Sequence, residues 1–213
     1  MRKILTIALM AVSVVMAAQH VTPIEVNVVD LNLDSLRDAY MSQPAMYQSA
    51  LKVAEQELEQ NAADLKKARA QQKAEETHVK EMSLTLQEAQ KLIAGLKKTF
   101  AQEEKELKTM LKTIGKQQAN LLKQTDLNPE TRENYSRLLQ EQQKGLNYSL
   151  RDVADRMRAI TDMEEDLRKA QNNINAYHQE TIQKAIDITS LETKIKHNMA
   201  KLKKEQKAAK SIQ

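Results

Sequence analysis

The residues best placed by type and spacing to do chemistry are Glu75 and His78, with His178 farther along the chain. A Glu and a His three apart share one face of a helix, and such pairs supply metal ligands inside helical bundles. A bundle site also needs carboxylates converging from other helices, and this is the only E-x-x-H pattern in the sequence. Cysteine is absent, which excludes thiol nucleophiles, thiolate metal sites and disulfides. There is no Gly-rich phosphate loop, no H-E-x-x-H and no G-x-S-x-G. No catalytic, cofactor-binding or metal-binding residue is therefore assigned, and no enzyme is expected. The reading of Glu75 and His178 is a polar layer next to a second one, Gln72 with Thr181. Such layers set the register of paired helices at a cost in stability.

The elements that must carry these residues are few and long. Of 213 residues, three are Gly, three are Pro and 3% are aromatic, while 29% are charged. A chain this poor in turn formers cannot fold back often, and its apolar content suits a seam rather than a thick core. From Ala45 to Lys210 the one strong breaker is Pro129. Asn128 suits a helix cap, Pro129 a first helical position and Glu130 the positive end of the helix dipole.

Periodicity carries the fold class. A seven-residue step visits Leu51, Leu58, Leu65, Gln72, Val79, Leu86, Ile93, Phe100, Leu107, Ile114 and Leu121. After the turn it visits Leu139, Leu146, Val153, Ile160, Leu167, Ile174, Thr181, Ile188, Ile195 and Leu202. Sustained heptads imply left-handed supercoiling. The expectation is an all-α fold: a long antiparallel two-helix coiled-coil hairpin with a short N-terminal extended segment. Its parts are a signal peptide over 1–18, an extended segment and short helix over 19–43, a first arm over 44–124, a turn over 125–128 and a second arm over 129–210. Each arm would be about 120 Å long.

In the expected register, residue numbers at one level sum to 253. Leu107 then meets Leu146, Ile93 meets Ile160, Gln72 meets Thr181, and Glu75 lies level with His178. Weaker layers pair Leu96 with Met157, Ala68 with Ala185 and Ala54 with Met199, and Met82 and Met110 also fill the seam. Net charges agree with the fold-back: −6 over 19–64, +6 over 66–123, −4 over 126–166 and +6 over 167–213. Acidic blocks then oppose basic ones at the base and the tip, which disfavours parallel self-pairing. Gly95, Gly115 and Gly145 fall off the seam. Beside it, Met163, Ala170, Tyr177 and Leu191 form one flank, with Ile182 and Ile186 further round. Two helices alone would leave these uncovered, so Met163, Tyr177, Ile182, Ile186 and Leu191 are the candidate interaction surface.

The first residues read as a secretory signal: Arg2 and Lys3, an apolar run from Ile4 to Met16, then Ala17 and Ala18. The run is short for a membrane span, so the mature chain is expected to have none and to be exported, to a periplasm. Removing Arg2 and Lys3 lowers the formal charge from +4 to +2, with few aromatics for base stacking. Nucleic acid is not an expected partner. The Lys-rich stretch from Lys194 to Lys210 reads as a solvated face. Ile24 to Leu31 alternates like a short strand, or lies as an ordered coil along the base of the hairpin.

A signal sequence, then VNVVD, then a short helix, then Pro44 opening a long charged hairpin resembles the Skp (OmpH) family of periplasmic chaperones. The resemblance covers about the first third of the chain. It implies trimers in which strands form a small β-body and helical hairpins hold unfolded outer-membrane proteins. The sequence departs from that pattern after the hairpin, where Lys201 to Gln213 reads as helix rather than a second strand. The functional expectation is an exported coiled-coil protein, a homo-oligomer, binding protein clients or partners as a holdase or adaptor. The competing expectation is a structural or adhesive coiled-coil rod acting through self-assembly.

Overall fold

The computed structural model describes residues 21–24, 26, 32–40 and 42–211. The expected signal peptide and most of the Ile24–Leu31 stretch lie outside those residues. The described chain forms three α-helices and no strand: α1 Leu33–Tyr40, α2 Pro44–Lys123 and α3 Pro129–Ser211.

Each helix begins where its sequence supplies a cap. The Ser35 backbone N–H donates to Asn32 Oδ1 at 3.1 Å to start α1. Pro44 opens α2, and the N–H groups of Met46 and Tyr47 donate to the Gln43 carbonyl. For α3, the Glu130 N–H donates to Asn128 Oδ1 at 3.1 Å and the Arg132 N–H to the Asn128 carbonyl at 3.0 Å. The same Arg132 donates from Nη2 to the Gln124 carbonyl at 2.6 Å, satisfying a group that the end of α2 leaves without a helical partner.

The two long helices pack against each other, and their residues divide between two units. One unit spans Ser83–Asn172. Its core takes Leu86, Ala89, Ile93 and Phe100 from α2, and Val153, Ile160, Met163, Leu167 and Ala170 from α3. Lys97 Nζ pairs with Glu164 Oε2 at 2.7 Å, and Arg156 Nη2 with Glu103 Oε1 at 3.3 Å. The Arg156 guanidinium also lies 4.8 Å from the centre of the Phe100 ring, a cation–π contact that covers the ring face.

The other unit joins the described residues before Ser83 with those from Asn173 onward. Leu33 of α1 packs there with Tyr47, Leu51, Ala54, Leu58, Leu202 and Ala209. A second cluster holds Leu65, Ile188 and Ile195, with Ile24, Val26, Ala68 and Leu191 packed against it. Burying a leucine or isoleucine side chain is worth about 1.5–3 kcal/mol, so repetition along the helices accounts for pairing without a globular core.

The register differs from the expectation. Glu75 pairs with Lys184, not His178. Lys97 meets Glu164 rather than Arg156, and Arg69 meets Glu192 rather than Lys184. The expected register places Lys97 level with Arg156 and Arg69 level with Lys184, both like-charged pairs, but exposed pairs weigh little, and the larger change is in which α3 residues are buried. Side chains also lean toward the N-terminus of their own helix, so the residues that meet across the pair need not lie at one level.

The weak half of the seam on α3 is also different. Met163, Ala170, Tyr177, Lys184 and Asn198 are buried, whereas Met157, Ala185 and Met199 are half-buried and His178 is exposed. Both sets keep the seven-residue spacing. The set three residues after Ile160, Leu167 and Ile174 is richer in large apolar side chains and takes the inside. On α2, Met82 is buried while Met110 is 52% exposed.

Candidate functional site: a polar layer and two apolar surfaces

The polar layer lies within the unit that joins the described residues before Ser83 with those from Asn173 onward. Lys184 Nζ donates to both Glu75 carboxylate oxygens, at 2.9 and 3.0 Å, with side chains 4% and 10% exposed. A buried ion pair contributes little net stability against an apolar pair of the same shape, but losing one partner strands a buried charge. Gln72 is also buried and its amide donates to Glu76 on its own helix. Thr181 is 2% exposed, and its hydroxyl donates to the Tyr177 carbonyl one turn earlier at 2.9 Å. Gln72 and Thr181 thus satisfy themselves locally, and the cross-helix bond of the layer belongs to Glu75 and Lys184.

His78 packs against Tyr177 edge-to-face, ring centres 6.4 Å apart. Burial, with the Glu75 and Glu180 carboxylates nearby, pushes the Tyr177 hydroxyl above its ordinary pKa. His178 lines a shallow groove of about 210 Å³ with Glu76, Val79, Lys80, Thr181 and Ile182. Glu75, His78 and His178 therefore have three different environments. Among the described residues, no three His, Cys, Asp or Glu side chains converge on a common point.

The candidate interaction residues separate in the same way. Met163 and Tyr177, expected beside the seam, are each 8% exposed and lie inside it. Leu191 is half-buried, next to the Leu65–Ile188–Ile195 cluster with Ile24 and Val26. Ile182 and Ile186 are outside, at 40% and 56% exposure, one turn apart on α3.

A second apolar surface, not anticipated from the sequence, lies near the α2–α3 turn. Met110, Leu122, Tyr135, Leu138 and Tyr148 are all exposed. Met110, Ile114 and Leu146 line one groove of about 570 Å³, and Leu121, Tyr135, Leu138 and Leu139 line another of about 530 Å³. Its sequence signal is the polar run Glu103, Gln117, Gln124, Gln142 and Ser149 at the weak seam positions. Polar side chains there leave the neighbouring leucines without a cover.

No helix among the described residues is long and apolar enough to cross a membrane. Compared with known protein families, curated proteins and solved structures, the chain matches none.

Proposed function

We propose that this chain is an exported, non-enzymatic protein of the cell envelope that binds other proteins with an antiparallel coiled-coil hairpin, as a holdase chaperone or adaptor. The hairpin reading is supported by the order of partners: ascending along α2, Arg69, Glu75, Lys97 and Glu103 meet Glu192, Lys184, Glu164 and Arg156, which descend along α3. The observation that carries the binding reading is the set of large apolar side chains left outside the seam, Met110, Leu122, Tyr135, Leu138 and Tyr148 with Ile182 and Ile186. Within this set Tyr135 and Leu138 share one apolar groove with Leu121 and Leu139, Met110 lines another with Ile114 and Leu146, and such grooves mark places where another molecule sits. The sequence pattern shared with the Skp family points the same way.

The test is aggregation of an unfolded outer-membrane protein diluted from urea, with and without this protein. The wild type is expected to delay light scattering. L122E with L138E, and separately I182E with I186E, are expected to shorten that delay while helical circular dichroism stays unchanged. A wild type that gives no delay contradicts the chaperone reading. Loss of oligomer mass in these variants, with no effect on aggregation, favours the structural rod.

A further inference from the structure

Gly115 on α2 and Gly145 on α3 lie at one level of the Ser83–Asn172 unit. From Glu103 with Arg156 to Gln118 with Gln143, the partners ascend along α2 as they descend along α3. Gly115 comes three residues before Gln118, and Gly145 two residues after Gln143, so the two glycines fall side by side. Neither is there to let a neighbour approach. A Cβ added at either would meet nothing within 4 Å, and no glycine among the described residues has a positive φ. Each is a weak point in its helix, where glycine costs about 0.5–1 kcal/mol against alanine.

Two further features weaken the same level. The Thr109 and Thr113 hydroxyls donate to the Lys105 and Thr109 carbonyls at 2.8 and 3.1 Å, and the Ser149 hydroxyl donates to the Gly145 carbonyl at 3.2 Å. Hydroxyls that bond back in this way share carbonyls with the helix ladder and favour bending. Packing between the helices is also thin. Met110 is exposed, and a groove of about 570 Å³ opens beside Met110, Ile114, Gly145 and Leu146. Gly95 in the same unit makes the contrast. Its carbonyl also accepts a hydroxyl, from Thr99 at 3.0 Å, but the neighbouring Ile93 and Phe100 are sealed and Gly145 is the one glycine of α3.

We propose that Gly115 and Gly145 form a hinge in the helix pair, at which residues 116–144 bend against the part of the unit that holds Ile93, Phe100, Val153 and Ile160. The sealed core resists bending on one side of the level, and few buried contacts resist it at the level itself. The groove of Leu121, Tyr135, Leu138 and Leu139 lies beyond the glycines and moves with the turn. Bending therefore changes its angle to the groove of Met110, Ile114 and Leu146, so one apolar face can fit partners of different shape. The hinge does not depend on what binds there. Its motion and client holding have separate readouts, and either can fail alone.

The chain has no cysteine, so introduced thiols can carry spin labels cleanly. The full-length variant K105C/N120C places two labels on exposed positions of α2 on either side of Gly115, and Q90C/K105C places two on either side of Gly95. The label sites in each pair are 15 residues apart, about 22 Å along a straight helix. Double electron–electron resonance measures both distance distributions. The expected result is a broader distribution for 105–120 than for 90–105, narrowed to the width of the control by G115A with G145A and unchanged by G95A. Equal widths for the two pairs in the otherwise unaltered chain overturn the hinge. A broad 105–120 distribution that survives G115A with G145A, or one that G95A narrows as much, overturns its placement at these glycines.

Discussion

Two stretches of the same helix pair differ in how well one heptad pattern closes. Between Leu86 and Phe100 on α2, and Val153 and Ala170 on α3, the seam residues are nearly sealed: Ile93 and Phe100 are 1% exposed, Val153 and Ile160 0%. Nearer the turn, Ile114 and Leu139 retain 7% and 8%, while Leu107, Leu121 and Leu146 are half-buried. The strong seam positions are apolar in both stretches. The difference lies in their companions, Ala89, Met163 and Ala170 in one and Glu103, Gln117, Gln142 and Ser149 in the other. A heptad with one apolar position per repeat aligns two helices, and a second apolar position excludes water. Arg156, lying over Phe100 and paired with Glu103, marks where one regime gives way to the other.

The largest effects should come from the sealed stretch. F100A is expected to cost about 3–5 kcal/mol, the usual range for deleting a buried ring, whereas L107A should cost distinctly less because its site is already open. Urea unfolding followed by circular dichroism measures both, and equal losses would remove the contrast. The buried ion pair comes next. K184A or E75A alone should cost about 3 kcal/mol by stranding a charge, while E75L with K184L together should be neutral or stabilising. A charge swap, E75K with K184E, should recover most of what each single change loses, and the double-mutant cycle reports the coupling.

Smaller gains should come from repairing imperfections. Asn198 is buried with its Nδ2 unpaired, so N198L should raise stability by about 1–2 kcal/mol. Added Cβ atoms at Gly95, Gly115 and Gly145 meet nothing, so each change to Ala should add about 0.5–1 kcal/mol by helix propensity alone. Thermal melts of the single variants test these values.

An effect confined to alkaline solution comes last. Burial and a hydrogen bond to Glu205 at 3.0 Å push the Tyr47 hydroxyl up to about 12. Its folded pKa is raised, so the associated stability is complete below about pH 10, the ordinary tyrosine value, and is lost as pH climbs toward 12. Y47F should flatten the decline of melting temperature between those limits, and an unchanged slope would locate the decline elsewhere.

Much of the fold was legible because it depends on local rules. Heptads from Leu51 to Leu121 and from Leu139 to Leu202, with Asn128-Pro129-Glu130 between them, lead to two long helices that pack together. The register was harder to read. Matching Gln72 with Thr181 satisfied the seam, but both polar groups found partners on their own helices. The cross-helix polar partner that is buried is Lys184, which meets Glu75 in the set three residues after the strong seam positions. The choice of inner α3 residues was ambiguous because the positions three before and three after each strong residue both repeat every seven. That ambiguity placed Met163 and Tyr177 outside. A coil lying along the helices was one of the two expected readings of the Ile24–Leu31 stretch, and Ile24 and Val26 fit it, but their particular seat was not legible because its contacts come from both long helices at once.

The pairing of α2 with α3 is tested most directly by E75C with K184C, treated with a short thiol-specific crosslinker at low protein concentration. The account predicts a link inside one chain, with the peptides carrying positions 75 and 184 joined in the digest and monomer mass retained. Links formed only between chains would contradict it.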